Sequence, residues 1–208
     1  MAMMRDTAEN SYTVYGIAGA GSLIAEYILE ETGIAYRRVF LDRAGRDEPG
    51  FREISPTGRV PVLVCPDGVT IFESLAITIH LLENHDTGLI AAAGTAERAR
   101  CWQWLCYLAT TLYPAKLQLH YPERYGPVRE SALAASLHVS QCYGYLEKAL
   151  NPWLAGPRLS AADLYLAMLA EWHPQRPVLL EAHPKLAQML AEVLARPAID
   201  RVMTAQLK

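Results

Sequence analysis

Apolar and polar positions follow two different rhythms along this chain, and the change between them falls near residue 90. Before it, short apolar runs alternate with glycine-containing polar stretches. Residues 12–17, 36–41, 60–64 and 70–72 carry the β-branched and aromatic residues of strands. Residues 22–31 and 74–83 read as helices, the first closed by Thr32-Gly33, since glycine is the usual helix stop. A polar stretch over 42–50 leads to a short helical piece at 51–54, and Cys65-Pro66-Asp67-Gly68 has the composition of a tight hairpin turn. The expected order is β-α-β-α-β-β-α.

From about residue 95 the period is helical throughout. Cys101, Trp104, Leu105, Leu108 and Leu112 form one stripe, in a helix over 97–113 that Pro114 is expected to kink. Val139, Cys142, Tyr143, Leu146 and Leu150 form another stripe. Residues 161–172 and 185–194 give two more helices, with a short one after Pro197. The pattern therefore predicts an α/β domain over 12–85, a linker over 86–94 and an all-α domain over 95–208. Residues 1–11, polar with Arg5, Asp6 and Glu9, read as a flexible tail and not as a signal peptide.

Composition narrows the class. With 51% hydrophobic and 20% charged residues the chain is of ordinary globular type. A net charge of −3 argues against nucleic acid, whose partners present a basic face. No apolar run reaches the roughly 18 residues of a membrane span. The four cysteines, at 65, 101, 106 and 142, show neither C-x-x-C nor zinc spacing, and the six histidines form no metal motif. Reduced thiols, no metal and a cytoplasmic location are expected.

Chemistry concentrates first in Gly16-Ile17-Ala18-Gly19-Ala20-Gly21-Ser22, a glycine loop between a strand and a helix. It has the layout of a phosphate loop but lacks the chemistry of one. A Walker motif needs a lysine after the last glycine, and no lysine precedes Lys116; a dinucleotide fingerprint needs a glycine where Ile24 stands. Two readings stay open: an anion site at a helix start, whose free N–H groups carry positive potential, or a tight turn with Ser22 as helix cap.

Three further stretches stand out. In 55–64, SPTGRVPVLV, the Val60-Pro61 bond is either an ordinary trans bond opening an edge strand or a cis bond that turns the Val60 backbone outward. In 72–77, Glu73 and Ser74 either adorn a helix start or together receive the ammonium and carboxylate of an α-amino acid head group. In 158–172, Ser160 and Asp163 have capping-box spacing, a folding signal worth ~1–2 kcal/mol.

Taken together and in order, SPTGRVPVLV, ESLAI, ERARCWQWL and NPWLAGPRLSAADLYLA resemble the cytosolic glutathione transferases over residues 12–205, with a bacterial, beta-class flavour. The resemblance implies a thioredoxin-like N-terminal domain joined to an all-α domain. It implies glutathione as substrate, a small hydrophobic electrophile as its partner, and a homodimer formed across the two domains of opposite subunits. It also implies a cis Val60-Pro61 bond, with the Val60 backbone pairing with the cysteinyl part of glutathione and Glu73 and Ser74 holding the γ-glutamyl head. Arg59 is either a partner of a glutathione carboxylate or a solvated arginine.

Where bacterial relatives often carry cysteine this chain has Gly21, which leaves Ser22 as the loop's only hydroxyl and the expected donor to the thiolate. Tyr15 is the second candidate, with a place in the core as its other reading. Tyr113 falls where relatives carry an active-site histidine. With Trp104, Leu108 and Leu117 it is expected in the electrophile pocket or in the core. The alternative to an enzyme is a non-catalytic binding protein on the same fold.

Overall fold

The computed structural model describes residues 11–42 and 44–206, so the expected tail lies outside the described residues except for Ser11. The described chain forms two compact units, residues 11–87 with 197–206 and residues 88–196.

The first unit is a four-stranded mixed sheet with helices, built from β1 (Tyr12–Gly16), α1 (Leu23–Thr32), β2 (Tyr36–Phe40), α2 (Pro49–Ile54), β3 (Val62–Val64), β4 (Thr70–Phe72) and α3 (Ser74–Asn84). The strand order is β2-β1-β3-β4: β1 runs parallel to β2, and β3 is antiparallel to both its neighbours. The element order is the β-α-β-α-β-β-α that the pattern predicted, and the fold is the thioredoxin-like one that the resemblance implies. Residues Leu23 to Leu29 of α1 are all buried, between the sheet, α3 and the last helix, α10 (Pro197–Ala205). Gly33 ends α1 with φ 66°, a left-handed conformation that costs glycine nothing.

Two differences from the sequence reading have a clear physical cause. The third strand starts at Val62 rather than at residue 60, because Pro61 has no N–H to give to the ladder. The terminal helix, expected with the helical domain, packs instead against α1, burying Ala198, Ile199 and Val202. An amphipathic pattern says that a helix has an apolar face but not which element that face will meet.

The second unit is all helical: α4 (Ala96–Tyr107), a π-helical turn (Leu108–Leu112), α5 (Tyr113–His120), a 3-10 turn (Pro122–Arg124), α6 (Val128–Ala149), α7 (Ala161–Glu171), α8 (Arg176–Ala182) and α9 (Pro184–Leu194). Helix α7 is its axis, with every residue from Ala161 to Ala170 buried and α4 and α9 packed against it. Pro114 does not break the helix. The π-turn just before it draws the Tyr113 N–H to the Leu108 carbonyl, five residues back, and widens the ladder ahead of the proline ring. Helix α8 was missed because its seven residues are too few to show a period. Both halves of the Ser160–Asp163 capping box are present.

Candidate functional site

Sheet register brings most of the candidate residues to one end of the first unit. Tyr15 of β1 lies opposite Val62 of β3, and Val62 lies opposite Phe72 of β4. The glycine loop that leaves β1, Pro61 before β3 and Glu73 after β4 therefore share one edge of the sheet. From that edge start α1 and α3, whose first-turn N–H groups have no partner within their own helices and carry partial positive charge. Two helix starts at one sheet end suit a ligand that carries more than one negative group.

The Val60-Pro61 bond is cis, as the resemblance implies, and Pro61 is buried. The turn before it is braced by Ser55, fully buried. Its hydroxyl donates to the Arg59 carbonyl at 2.8 Å and accepts from the Arg59 N–H at 3.1 Å. The Arg59 side chain is exposed. Glu73 is exposed and, among the described residues, the only non-glycine with positive φ, at 72°. Such a backbone costs about 1–3 kcal/mol and persists only where its surroundings hold it. Ser74, the first residue of α3, is buried at 6% exposure, and its carbonyl accepts the Thr78 hydroxyl at 2.8 Å.

Ser22 is placed differently from the expected thiolate donor. It is fully buried and makes no capping hydrogen bond. Its side chain fills the space beside Gly16: a Cβ on Gly16 would lie 2.2 Å from Ser22 Oγ. Only glycine at 16 lets the serine turn inward, and in that position the hydroxyl points away from solvent. Tyr15 is half-buried, its ring 5.9 Å from that of Phe51 in α2.

The electrophile-pocket candidates lie in the second unit. The Tyr113 and Trp172 rings are 5.3 Å apart, and those of Trp104 and Tyr107 meet edge-on at 5.6 Å. Leu117 is half-buried. Leu108 has no exposure and packs in the core, so it lines no open surface. A cavity of about 120 Å³ in this unit is lined by Leu89, Glu97, Cys101, Arg158 and Ser160, and none of the expected pocket residues borders it.

At the opposite end of the sheet, Tyr12 Oη lies 2.7 Å from His85 Nε2, and Cys65 Sγ lies 3.4 Å from His80 Nε2. Burial, with the Asp67 charge, pushes the Cys65 thiol up, away from the reactive thiolate form. Among the described residues no group of three His, Cys, Asp or Glu side chains is disposed to hold a metal ion.

Sequence reasoning missed the layer beneath the glycine loop. Glu26 is fully buried, paired with Arg38 of β2 and hydrogen-bonded by Gln206. One signal was available, since Glu26 is the single charge in an otherwise apolar run from Leu23 to Leu29.

Known proteins with the same layout agree across both units. The family model for the glutathione S-transferase N-terminal domain matches residues 22–84, and that for the glutathione S-transferase C-terminal domain matches residues 118–205. Glutathione S-transferase GstA of Escherichia coli is 29% identical over 197 residues, covering 90% of this chain and 95% of its own. The beta-class glutathione S-transferase of Sphingomonas chungbukensis is 30% identical and superposes with a TM-score of 0.83, covering 93% of this chain and 98% of its own. A sphingomonad glutathione S-transferase solved with glutathione is 28% identical, with a TM-score of 0.82 and the same coverage. Two domain models in the right order, on a fold shared with these enzymes, place this chain in the glutathione S-transferase family.

Proposed function

We propose that this protein is a glutathione transferase: it binds glutathione in its first unit, ionises the thiol, and adds the thiolate to a small hydrophobic electrophile. The reading is carried by one observation, the shared sheet end from which the glycine loop, the cis Val60-Pro61 bond and the Glu73–Ser74 pair all emerge. The relative solved with glutathione supports the choice of ligand. In this reading the Val60 backbone pairs with the cysteinyl residue, Glu73 receives the γ-glutamyl ammonium, Ser74 and the start of α3 receive its carboxylate, and Arg59 approaches the second carboxylate.

The chemistry needs little more than a stabilised anion. A free thiol near pKa ~8.5 is about 3% ionised at pH 7, and a drop of two units makes it roughly three-quarters ionised. That shift corresponds to about 2.7 kcal/mol in favour of the thiolate. With the Ser22 hydroxyl turned inward, the backbone N–H groups at the start of α1 are the donors, helped by the helix dipole, and the thiol proton leaves to solvent. The new C–S bond forms as the electrophile's leaving group departs or its double bond accepts the electron pair. Tyr113, Trp104 and Leu117 are the proposed apolar contacts of the electrophile.

A second reading has its own support. No thiol stands in the loop and its one hydroxyl is buried, so a protein that binds glutathione without conjugating it fits the same geometry. The exposed Val69 and Phe72 at the β4 edge strand favour a homodimer in either case. One experiment separates the readings. Glutathione should raise the thermal midpoint of a sample whose light scattering gives two chains. Bound glutathione should show the ultraviolet absorbance of a thiolate at pH 7, and an activated aryl halide should be consumed. Stabilisation without thiolate or turnover selects the binding protein, and no stabilisation at all overturns both. A cytoplasmic location accords with four free cysteines.

A further inference from the structure

We propose that Gln206 and Glu26 are positioning residues that hold the glycine loop in the geometry that receives the thiolate, so that the working end of α1 is set by the C-terminal helix. The inference rests on the glutathione reading above.

Gln206 follows the last turn of α10, where its N–H reaches the Val202 carbonyl at 3.2 Å and the Met203 carbonyl at 3.1 Å. Its side-chain amide joins two parts of the first unit. The oxygen accepts the Gly19 N–H at 2.9 Å, in the middle of the glycine loop, and the nitrogen donates to Glu26 Oε2 at 3.2 Å. That carboxylate oxygen also accepts Arg38 Nε.

The loop is held from below as well. Ser22, its last residue, sits fully buried in the space left by the missing Gly16 side chain. Glu26 Oε1 lies 4.0 Å from the point where a Gly16 Cβ would stand, on the same side as the Ser22 hydroxyl. Ser22 Oγ and Glu26 Oε1 are both buried and make no hydrogen bond. Burial pushes the Glu26 carboxyl up, and the Arg38 charge, Ser22 and Gln206 pull it back.

The physical logic is one of spare donors. A buried carboxylate with two oxygens can accept about four hydrogen bonds, and Glu26 spends one oxygen on Arg38 of β2 and on Gln206 after α10. A loop with glycines at 16, 19 and 21 has little intrinsic preference for one conformation, so an outside tie decides where its N–H groups point. Gly19 supplies the tie directly. Without Gln206 its N–H loses its acceptor, and the loop is left with short-range turn bonds such as Ala20 N–H to the Ile17 carbonyl.

The test compares two variants of the same helix. Gln206→Met keeps the bulk and removes both side-chain bonds. Arg201→Met removes a different polar tie of α10, the ion pair with Glu30, and leaves the loop untouched. Amide hydrogen exchange in the ligand-free protein should rise about tenfold or more over residues 17–22 in Gln206→Met and stay unchanged there in Arg201→Met. With glutathione bound, an ultraviolet titration should place the thiolate pKa about one unit higher in Gln206→Met, one hydrogen-bonding side chain being worth about that much. In steady state kcat should fall while the KM for glutathione stays near the parent value. Unchanged exchange in the loop, or an equal effect of Arg201→Met, overturns the positioning role alone. A parent protein that shows no thiolate at all overturns the glutathione reading beneath it.

Discussion

The least expected single residue is Lys116. Helix α5 presents Tyr113, Lys116 and His120 at i, i+3 and i+7, on one face. The Tyr113 ring packs at a tilt against Trp172, and His120 Nε2 donates to the Trp172 carbonyl at 2.8 Å, so the lysine between them points into the same packed region. It has no exposure, and its ammonium makes no hydrogen bond and lies 5.7 Å from the centre of the Tyr143 ring. Burial pushes its pKa down to about 7, and burial together with the lysine's charge pushes His173 down to about 4. An unfolded lysine titrates near ~10.4, so between about pH 7 and pH 10 the unfolded chain binds more protons and stability rises with pH. Below about pH 7 the folded protein carries the full penalty of a buried charge.

Replacing Lys116 by Met should therefore raise the thermal midpoint by roughly 5–10 °C at about pH 6, each kcal/mol being worth ~2–4 °C in a chain of this size. The gain should shrink toward zero near pH 10. Scanning calorimetry at the two pH values decides it, and equal gains at both would mean that the amine is hydrated in solution. None of this was legible in the sequence. A lysine two residues after a proline in a helix reads as a solvated charge, and only the tertiary packing of α5 against α6 makes it otherwise.

At the scale of elements, what the sequence revealed was what neighbours in sequence decide. The capping box is the clearest case, since Ser160 and Asp163 need only three residues of helix to find each other. Its energetic weight was not legible. Asp163 is fully buried, Oδ1 accepting the Leu154 N–H at 2.8 Å and Oδ2 accepting both the Ser160 N–H at 2.9 Å and its hydroxyl at 2.7 Å. One carboxylate thus joins the start of the axial helix to the loop before it. An exposed cap is worth ~0.5–2 kcal/mol, but Asp163→Ala leaves several buried donors unpaired at once. Its expected cost is roughly 3–4 kcal/mol in urea unfolding, with Asp163→Asn intermediate. A loss below about 1 kcal/mol would mean that the 150–160 loop rearranges to satisfy its own donors. The π-turn before Pro114 belongs to the opposite class: a proline in a helical stripe predicts a disturbance, and the packing of α4, α5 and α6 decides that the helix widens there instead of stopping.

At the scale of the whole molecule, the chain leaves its first unit at residue 87, builds the second, and returns at Pro197 to finish the first. The fold class was legible because two rhythms of hydrophobicity divide the sequence, and the candidate site because its motifs keep their order. The return of the last helix was not, since nothing local says which apolar face α10 will cover. It covers α1: Tyr27, fully buried, donates its hydroxyl to Met203 Sδ at 3.0 Å, Arg201 pairs with Glu30, and Gln206 reaches the glycine loop. Ending the chain after Arg196 would strip that face while leaving every helix of the second unit in place. The four tryptophans, at 102, 104, 153 and 172, all lie in the second unit and report on it alone. In the shortened chain, tryptophan fluorescence should still show a cooperative denaturant transition. Far-UV circular dichroism should show an additional, earlier one, and the stabilisation by glutathione should vanish. Coincident transitions by both probes, with glutathione stabilisation intact, would show that the first unit folds and binds without its last helix.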